Sequence, residues 1–208
     1  MIVLCGAGFL GSWWARFYAQ RASALKIAEG VMVIDNDKVE DRNLPTQNFR
    51  HNQVGNYKAV VTSSVFNDYG VDNADWCYRL DEKSISQVID EKPLLVIDAF
   101  DNISARFMAK MIGVACGCEV LHIAISPAGF GLVEWSKDWA IDPTRSLTPV
   151  VKEDVKAPPC ELPMFQQLGV LVGMRAAIES SQYLLGRKVE SWFISDVEQR
   201  RYVEKKTL

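Results

Sequence analysis

The sequence has few residues suited to metal or redox chemistry. Its 208 residues include five cysteines and two histidines. No Cys-x-x-Cys pair occurs, and His51 and His122 lie far apart along the chain, so the sequence predicts no structural zinc site. We expect the cysteines to be reduced and mostly buried.

The sequence also lacks long apolar runs and a marked excess of charge of one sign. No apolar stretch approaches the roughly 18 residues that indicate a transmembrane helix. The first residues lack the basic segment and long apolar core of a signal peptide. The formal net charge of −3 gives no electrostatic reason to expect nucleic acid or an anionic membrane as a partner. The expectation is therefore a cytoplasmic protein with neither partner.

What the sequence does contain is an alternation of short apolar strands and helices. Strands are predicted at 2–5, 31–34, 76–80, 94–97, 120–125 and 131–135, with a hairpin at 189–194 and 201–203, and helices at 13–29, 57–68, 84–90, 103–115 and 164–185. Strands with little polar alternation are typical of parallel sheets. The pattern predicts an α/β fold, with a Rossmann-like mostly parallel sheet flanked by helices and antiparallel strands added at the C-terminal end.

A glycine-rich turn directly follows the first strand. Gly6, Gly8 and Gly11 form a G-x-G-x-x-G pattern between a strand and a helix. Such glycines allow a tight turn, close approach of a phosphate and close packing of the helix, whose N-terminus attracts anions. Asp35, at the end of the second strand, can accept hydrogen bonds from ribose hydroxyls. The turn therefore predicts nucleotide binding without separating NAD, FAD and ATP. Packing glycines in a non-binding core are the alternative.

Polar residues after Asp35 narrow the choice of nucleotide. The polar stretch 36–56 is long for a loop, and long loops in compact domains are usually functional or disordered. A dehydrogenase would usually return to the sheet sooner. Lys58 lies near the start of the next helix, and a later strand ends at Asp98 and Asp101.

These motifs together resemble the ThiF/MoeB-type adenylyltransferases of the ubiquitin-activating-enzyme-like superfamily. The matching positions are the turn 6–12, Asp35, Asp37, Val39, Asn43, Leu44, Gln47, Gly55, Lys58, Asp98, Asp101, Asn102 and Arg106. The resemblance covers about residues 2–205. It implies a single ThiF-type nucleotide-binding domain over 1–208, with a crossover loop at about 136–163.

The resemblance also implies an activity and its partners. ATP and Mg²⁺ would be the cofactors in adenylation of the C-terminal carboxylate of a small ubiquitin-like or sulfur-carrier protein. A homodimer, or a heterodimer with a related subunit, is implied as well. An NAD-dependent oxidoreductase is a competing hypothesis. Lys58 and the Asp101-Asn102 pair argue against it, because hydride transfer needs no Mg²⁺ site at this edge of the sheet.

Individual residues receive roles from the resemblance. Asp35 would hold the ribose, Lys58 would place a positive charge on the phosphates, and Asp101 would hold Mg²⁺ together with phosphate oxygens. Asn43 and Gln47 would donate hydrogen bonds to phosphate oxygens. Further nucleotide contacts are expected at Gly6, Gly8, Phe9, Leu10, Gly11, Asp37 and Asn102.

Several of these residues also have purely structural interpretations. Asp101 and Asn102 could cap the helix that begins near Ile103. Lys58 could be a solvated helix lysine, and Asp37 a turn carboxylate that bonds its own backbone. Arg106 could serve to hold Asp98.

Thr46 is the departure from the family pattern, which has an arginine facing the ATP phosphates at this position. Threonine replaces neither the charge nor the forked donors of arginine. Arg50 or Arg42 in the same loop would compensate, or a second subunit would supply the arginine. Alternatively, the chain is a catalytically weakened partner or scaffold subunit. We expect nucleotide to bind in each case.

Cys160 is a second open position, in the predicted crossover loop. Family members that transfer the activated protein carry a cysteine there, so this thiol is a candidate for thioester formation. The neighbouring prolines could instead shape a turn that buries it. The zinc-binding cysteine pairs of the family are missing, so no zinc is predicted.

Overall fold

Eight strands form one sheet in the computed structural model of the chain, which describes residues 1–126, 129–136, 161–197 and 200–205. The strands are β1 (Ile2–Cys5), β2 (Val31–Ile34), β3 (Asn73–Trp76), β4 (Leu95–Asp98), β5 (Glu119–Ser126), β6 (Phe130–Trp135), β7 (Trp192–Val197) and β8 (Arg200–Lys205). The helices are α1 (Phe9–Leu25), α2 (Lys58–Asn67), α3 (Ile85–Asp90), α4 (Ile103–Cys116) and α5 (Gln166–Leu184).

The strand order confirms the predicted α/β fold class. Across the sheet it is β3-β2-β1-β4-β5-β6-β7-β8. Neighbouring strands from β3 to β5 are parallel, and those from β5 to β8 are antiparallel. Strands β1, β2 and β3 follow one another toward one edge of the sheet, and β4 then lies on the other side of β1. Ligands of open α/β sheets bind at such a switch point, beyond the carboxyl ends of the strands.

Alternate residues of the central strands pack into two separate apolar layers, one on each face of the sheet. Ile2 and Leu4 of β1 belong to a large cluster that includes residues of α1, α2 and α5. Val3 and Cys5 point the other way and pack with residues of α3 and α4. Helices therefore cover both faces of the parallel part of the sheet, which explains its continuous apolar strands.

Strand β3 and helix α1 differ from the sequence prediction at both of their ends. Strand β3 is Asn73–Trp76 rather than 76–80; it is an edge strand with two exposed residues, so it carries no strong apolar signal. Helix α1 begins at Phe9, within the glycine turn, instead of at 13. It ends at Leu25, because Lys26 adopts a left-handed conformation with φ of 55° before Gly30 is reached.

The C-terminal hairpin is confirmed with different bounds. It consists of β7 and β8, whereas the sequence predicted strands at 189–194 and 201–203. No helix among the described residues is long and apolar enough to cross a bilayer. Within the same residues, no group of three or more His, Cys, Asp or Glu side chains could hold a metal ion.

Candidate functional site

A cavity of about 930 Å³ lies at the carboxyl ends of β1, β2 and β4. That volume falls within the range of small-molecule and cofactor sites. The predicted site residues that line it are Gly6, Gly8, Phe9, Leu10, Asp35, Asp37, Asn43, Gln47, Lys58, Asp101 and Asn102. The structure therefore brings residues from the glycine turn, the polar loop and both flanking strands into one wall.

The glycine turn is closed by backbone packing. Gly6 has φ of +92°, and a Cβ there would lie 3.0 Å from the carbonyl of Ala99. A Cβ on Gly11 would overlap the Gly6 carbonyl oxygen. Gly8 is different, because the nearest atom to a Cβ there would be Oε1 of Gln47 at 3.9 Å. The turn is thus tight at its ends and open at Gly8, where a phosphate would approach.

Asp35 connects this turn to the polar loop. One carboxylate oxygen accepts a hydrogen bond from the Ala7 amide at 2.7 Å, and the other accepts from the Asp37 amide at 2.8 Å. Burial raises the pKa of Asp35 above its ordinary value, although the two amides and Lys58 partly offset this. Each oxygen accepts one of these bonds, so lone pairs remain for a ligand.

Lys58 is held at the cavity by its own loop. Its ammonium lies 3.2 Å from the carboxylate of Asp37, and its backbone N–H donates to the Asp37 carbonyl at 2.8 Å. The side chain is buried at the first position of α2. Lys58 is therefore not a solvated helix lysine, and Asp37 is committed to it.

On the other side of β1, Asp98 is fully buried in an ionic cluster. Its Oδ2 atom lies 3.1 Å from Nη1 of Arg106 and 2.8 Å from Nδ1 of His122. Arg106 also donates to the carbonyl of Ile123 at 3.0 Å. Burial acts to raise the pKa of Asp98, but Arg106 and His122 outweigh it and hold the pKa below its ordinary value. The interpretation that Arg106 holds Asp98 is confirmed.

The loop after β4 contains two neighbouring polar residues, Asp101 and Asn102, whose side chains have different contacts. The Asn102 side chain accepts from the Ala105 amide at 2.8 Å and so caps α4. Asp98 also accepts from the Phe100 amide at 3.2 Å, which fixes the start of this loop. Asp101 is exposed and lines the cavity. Asn102 is thus the cap, while the Asp101 carboxylate faces the space where phosphates would sit.

Thr46 is packed away from solvent, with no exposed surface. Its carbonyl accepts the indole N–H of Trp13 at 2.7 Å, which ties the polar loop to α1. Of the two arginines of this loop, Arg42 lines the cavity, in ion pairs with Glu40 at 2.6 Å and Glu161 at 3.1 Å. Arg50 is not among the described lining residues. Its backbone instead precedes a 3₁₀ turn at His51–Gln53.

Asn43 and Gln47 lie in the same polar loop. The Asn43 Oδ1 atom accepts from the Glu40 amide at 2.9 Å, which leaves its amide nitrogen as a donor. Gln47 is buried, and its Oε1 atom has no hydrogen-bond partner within the described part of the chain. Because Oε1 is an acceptor, a ligand group that pairs with it has to be a donor such as a hydroxyl, rather than a phosphate oxygen.

Sequence reasoning missed two basic residues of the cavity wall. Arg79 and Lys83 follow β3 and line the cavity. Arg79 was not identified as a site residue because it lay inside the predicted strand at 76–80. Cys160 lies outside the described residues.

Comparisons with known proteins agree with this architecture. The model of the ThiF family matches residues 1–130. No curated protein sequence matches the chain significantly. The crystal structure of selenomethionine-labelled PaaA is similar at a TM-score of 0.69 and 14% identity, covering 99% of this chain and 72% of that one.

Crystal structures of E. coli MccB are also similar. The complex of MccB with ATP has a TM-score of 0.70 at 14% identity, and covers 98% of this chain and 63% of that chain. The complex with AMPCPP and MccA has a TM-score of 0.70 at 12% identity with the same coverage. The chain therefore spans less than two thirds of the length of MccB, with which it shares a fold.

Proposed function

Because the chain belongs to the ThiF family, we propose that it binds ATP in the switch-point cavity and activates a carboxylate by adenylation. The observation that carries the proposal is the arrangement of charge around the glycine turn. Lys58 comes from one side, Arg42 from the polar loop, and Arg79 and Lys83 from beyond β3. Arg106 also lines the cavity, and the described wall carries six carboxylates, those of Asp35, Asp37, Asp81, Glu82, Asp101 and Glu161. The cations offset this negative charge beside the open backbone turn, where a triphosphate would otherwise be repelled.

The likeness to MccB is consistent with a nucleotide in this position, since that fold has been crystallised with ATP and with AMPCPP. In the chain described here, the lone pairs left on Asp35 would accept the ribose hydroxyls. The open backbone at Gly8 would face the phosphates, and Lys58 would neutralise them. The acceptor carboxylate is proposed to be the C-terminus of a small ubiquitin-like or sulfur-carrier protein.

The reaction consists of one substitution at phosphorus. An oxygen of the substrate carboxylate bonds to the α-phosphorus of ATP. The bond from that phosphorus to the oxygen bridging to the β-phosphorus breaks, and pyrophosphate leaves with the electron pair. The products are an acyl-adenylate and pyrophosphate. The protein contributes by positioning the two groups and neutralising the charge on the leaving phosphates.

Asp101 fits a magnesium ion in the way that nucleotide enzymes commonly bind it. Mg²⁺ is usually held by one or two carboxylates together with phosphate oxygens and water. Asp98 is committed to Arg106 and His122, and Asn102 to the helix cap, so Asp101 is the carboxylate of this loop that faces the cavity. The ion would supply positive charge to the phosphates.

Thr46 favours a second candidate function. Since Thr46 is buried and places no cation in the cavity, the chain could be a partner subunit that binds nucleotide or a carrier protein without adenylating it. Arg42 bears on which of the two functions is correct. Its ion pairs are exposed and therefore weak enough to be exchanged for a phosphate, which favours adenylation.

ATP–pyrophosphate exchange with candidate carrier proteins tests the proposal. We expect exchange, and Lys58→Ala to lower its rate by roughly 100-fold or more. The matched control Lys188→Ala, a well exposed lysine outside the cavity wall, should keep the full rate. Carrier binding without exchange would support the partner subunit, and NAD binding without ATP binding would support an oxidoreductase. For Cys160, the proposed thioester is tested by loss of a reducible carrier conjugate in Cys160→Ala.

A further inference from the structure

Two carboxylates contact the guanidinium of Arg42 from different parts of the chain. Oε2 of Glu40 lies 2.6 Å from Nε, and Oε1 of Glu161 lies 3.1 Å from Nη1. Glu40 belongs to the same polar loop and is not among the described residues that line the cavity. Glu161 lies 119 positions further along the chain and lines the cavity, as Arg42 does. Of these two carboxylates, only that of Glu161 therefore belongs to the described wall, where a phosphate would bind.

The contact with Glu40 is part of the fold of the polar loop. Glu40 directly precedes the 3₁₀ turn Asp41–Asn43. Its amide donates to Oδ1 of Asn43 at 2.9 Å, and the Asn43 amide donates to the Glu40 carbonyl at 2.9 Å. The backbone is thus fixed on both sides of Arg42. We therefore expect Glu40 to orient the Arg42 side chain whether or not a ligand is bound.

The contact with Glu161 joins only the ends of two long side chains. The backbone beside Glu161 is anchored independently, because Leu162 packs against the large apolar cluster and its carbonyl accepts the Phe165 amide at 2.9 Å. The Glu161 side chain is 29% exposed, so it can change rotamer without moving the segment that carries it. An exposed ion pair of this kind is weak and readily exchanged.

We propose that Glu161 competes with the phosphates of the nucleotide for Arg42. A phosphate oxygen displaces the Glu161 carboxylate from Nη1, because a guanidinium binds carboxylates and phosphates through the same N–H donors. When the phosphates leave, the carboxylate returns. Glu161 thus lowers the affinity for ATP and for pyrophosphate, and it assists the departure of pyrophosphate after adenylation. The inference rests on the proposed function for the identity of these ligands.

The two glutamates predict effects of opposite sign, although they contact the same guanidinium. If Glu161 competes with phosphates, its removal strengthens their binding. If Glu40 orients Arg42, its removal weakens their binding, even though the wall region loses one negative charge in both cases. The sign therefore separates competition from a general gain in affinity through lost negative charge.

Calorimetric titration of the full chain with Mg-ATP, and separately with inorganic pyrophosphate, tests the proposal. We expect Glu161→Gln to lower the dissociation constant of both ligands about two- to fivefold, as for the loss of one exposed ion pair. Glu40→Gln should raise it by a similar factor. The neutral control is Glu91→Gln, since Glu91 is an exposed glutamate at the end of α3, outside the described wall. It should leave both constants unchanged.

The same titrations in an Arg42→Ala background show whether the effect depends on the arginine. There, Glu161→Gln should change the dissociation constants by less than about 1.5-fold, because the carboxylate is no longer held at the wall and is screened in solvent. Adenosine, which has no phosphate, should bind to Glu161→Gln and to the original chain with equal affinity. A gain that passes through Arg42 and requires phosphates supports the proposal.

Unchanged or weaker binding of both ligands in Glu161→Gln, with a Tm close to that of the original chain, overturns the proposal. It is equally overturned if Glu40→Gln strengthens binding to the same extent, or if the gain persists in Arg42→Ala. Failure of the proposed function gives a different result. The chain would then bind ATP or pyrophosphate without ATP–pyrophosphate exchange, and the competition would still be measurable. If the original chain binds neither ligand, both proposals are overturned.

Discussion

Two buried aspartates flank β1, and they differ in what neutralises them. Asp98, the last residue of β4, faces the guanidinium of Arg106 and the imidazole of His122, and its pKa lies below the ordinary value. Asp35, after β2, is held mainly by two backbone amides, and burial raises its pKa. Two carboxylates of similar burial thus have pKa values that are shifted in opposite directions.

The difference teaches that burial alone does not identify a ligand-binding carboxylate. Asp98 has its charge balanced within the fold, so it holds the loop that carries Asp101. Asp35 keeps accepting capacity at the cavity wall, and no arginine pairs with it within the described part of the chain. A group in that state gains most from hydroxyl donors supplied by a ligand.

The largest expected effect separates the two aspartates by stability. Asp98→Asn leaves Arg106 buried beside a neutral side chain, and we expect it to lower the free energy of unfolding by about 3–5 kcal/mol. Asp35→Asn should cost about 1–3 kcal/mol, since it disturbs hydrogen bonds from backbone amides. Urea unfolding of both variants measures this. Equal losses would mean that Arg106 and His122 contribute little to the stability that Asp98 provides.

Nucleotide affinity should reverse that ranking. Asp35→Asn removes the proposed ribose acceptor, so the dissociation constant for ATP should rise about 10- to 100-fold in calorimetry. The control is Asp75→Asn, because Asp75 is an exposed aspartate of β3 outside the cavity wall. If folded Asp35→Asn binds ATP with unchanged affinity, Asp35 is not the ribose acceptor.

A smaller effect extends the comparison to the arginines. Arg106 is tied to Asp98, whereas Arg42 makes exposed ion pairs and can turn toward a phosphate. Arg42→Ala should weaken ATP binding about tenfold, as expected for one charge-assisted hydrogen bond. The matched variant is Arg50→Ala, which should bind ATP normally. If Arg50→Ala weakens ATP binding and Arg42→Ala does not, Arg50 is the replacement for the family arginine.

The smallest effect is on the pH dependence of stability. Because the folded-state pKa of Asp98 is lowered, its carboxylate stabilises the fold above pH 3.8, and this contribution is lost as the pH falls through the folded-state value. The raised pKa of Asp35 acts in the opposite sense, since its ionisation costs stability as the pH rises above 3.8. Urea unfolding between pH 3 and 7 should therefore show opposite slopes for the differences between the original chain and each asparagine variant.

The sequence was most informative where residues of the cavity wall lie in short contiguous motifs. The glycine turn, Asp35 and Lys58 each follow or begin an element, so their meeting at one edge of the sheet could be predicted from parallel topology. Whether Arg42 or Arg50 lines the cavity depends on two 3₁₀ turns within one polar loop, at Asp41–Asn43 and His51–Gln53. No periodic pattern indicates how such turns orient their side chains.

Arg79 was missed for a related reason. The apolar residues Trp76 and Leu80 drew the predicted strand to 76–80, whereas β3 ends at Trp76 and lies on the sheet edge. Pairing with β2 fixes that edge, and such pairing is a long-range property. The role of His122 was also invisible, because its contact with Asp98 arises only when β4 and β5 lie side by side.

The hydrogen bond from the Ala7 amide to Asp35 has a consequence for how a ligand would bind. It ties the glycine turn, the proposed phosphate site, to the Asp35 carboxylate, the proposed ribose acceptor, before any nucleotide arrives. The loss of conformational entropy that orders the turn is then taken at folding rather than at binding. Adenosine and pyrophosphate, added separately, should each meet a site already in its final shape. The turn is therefore preorganised, and its affinity for fragments should reflect direct contacts with little cost for rearrangement.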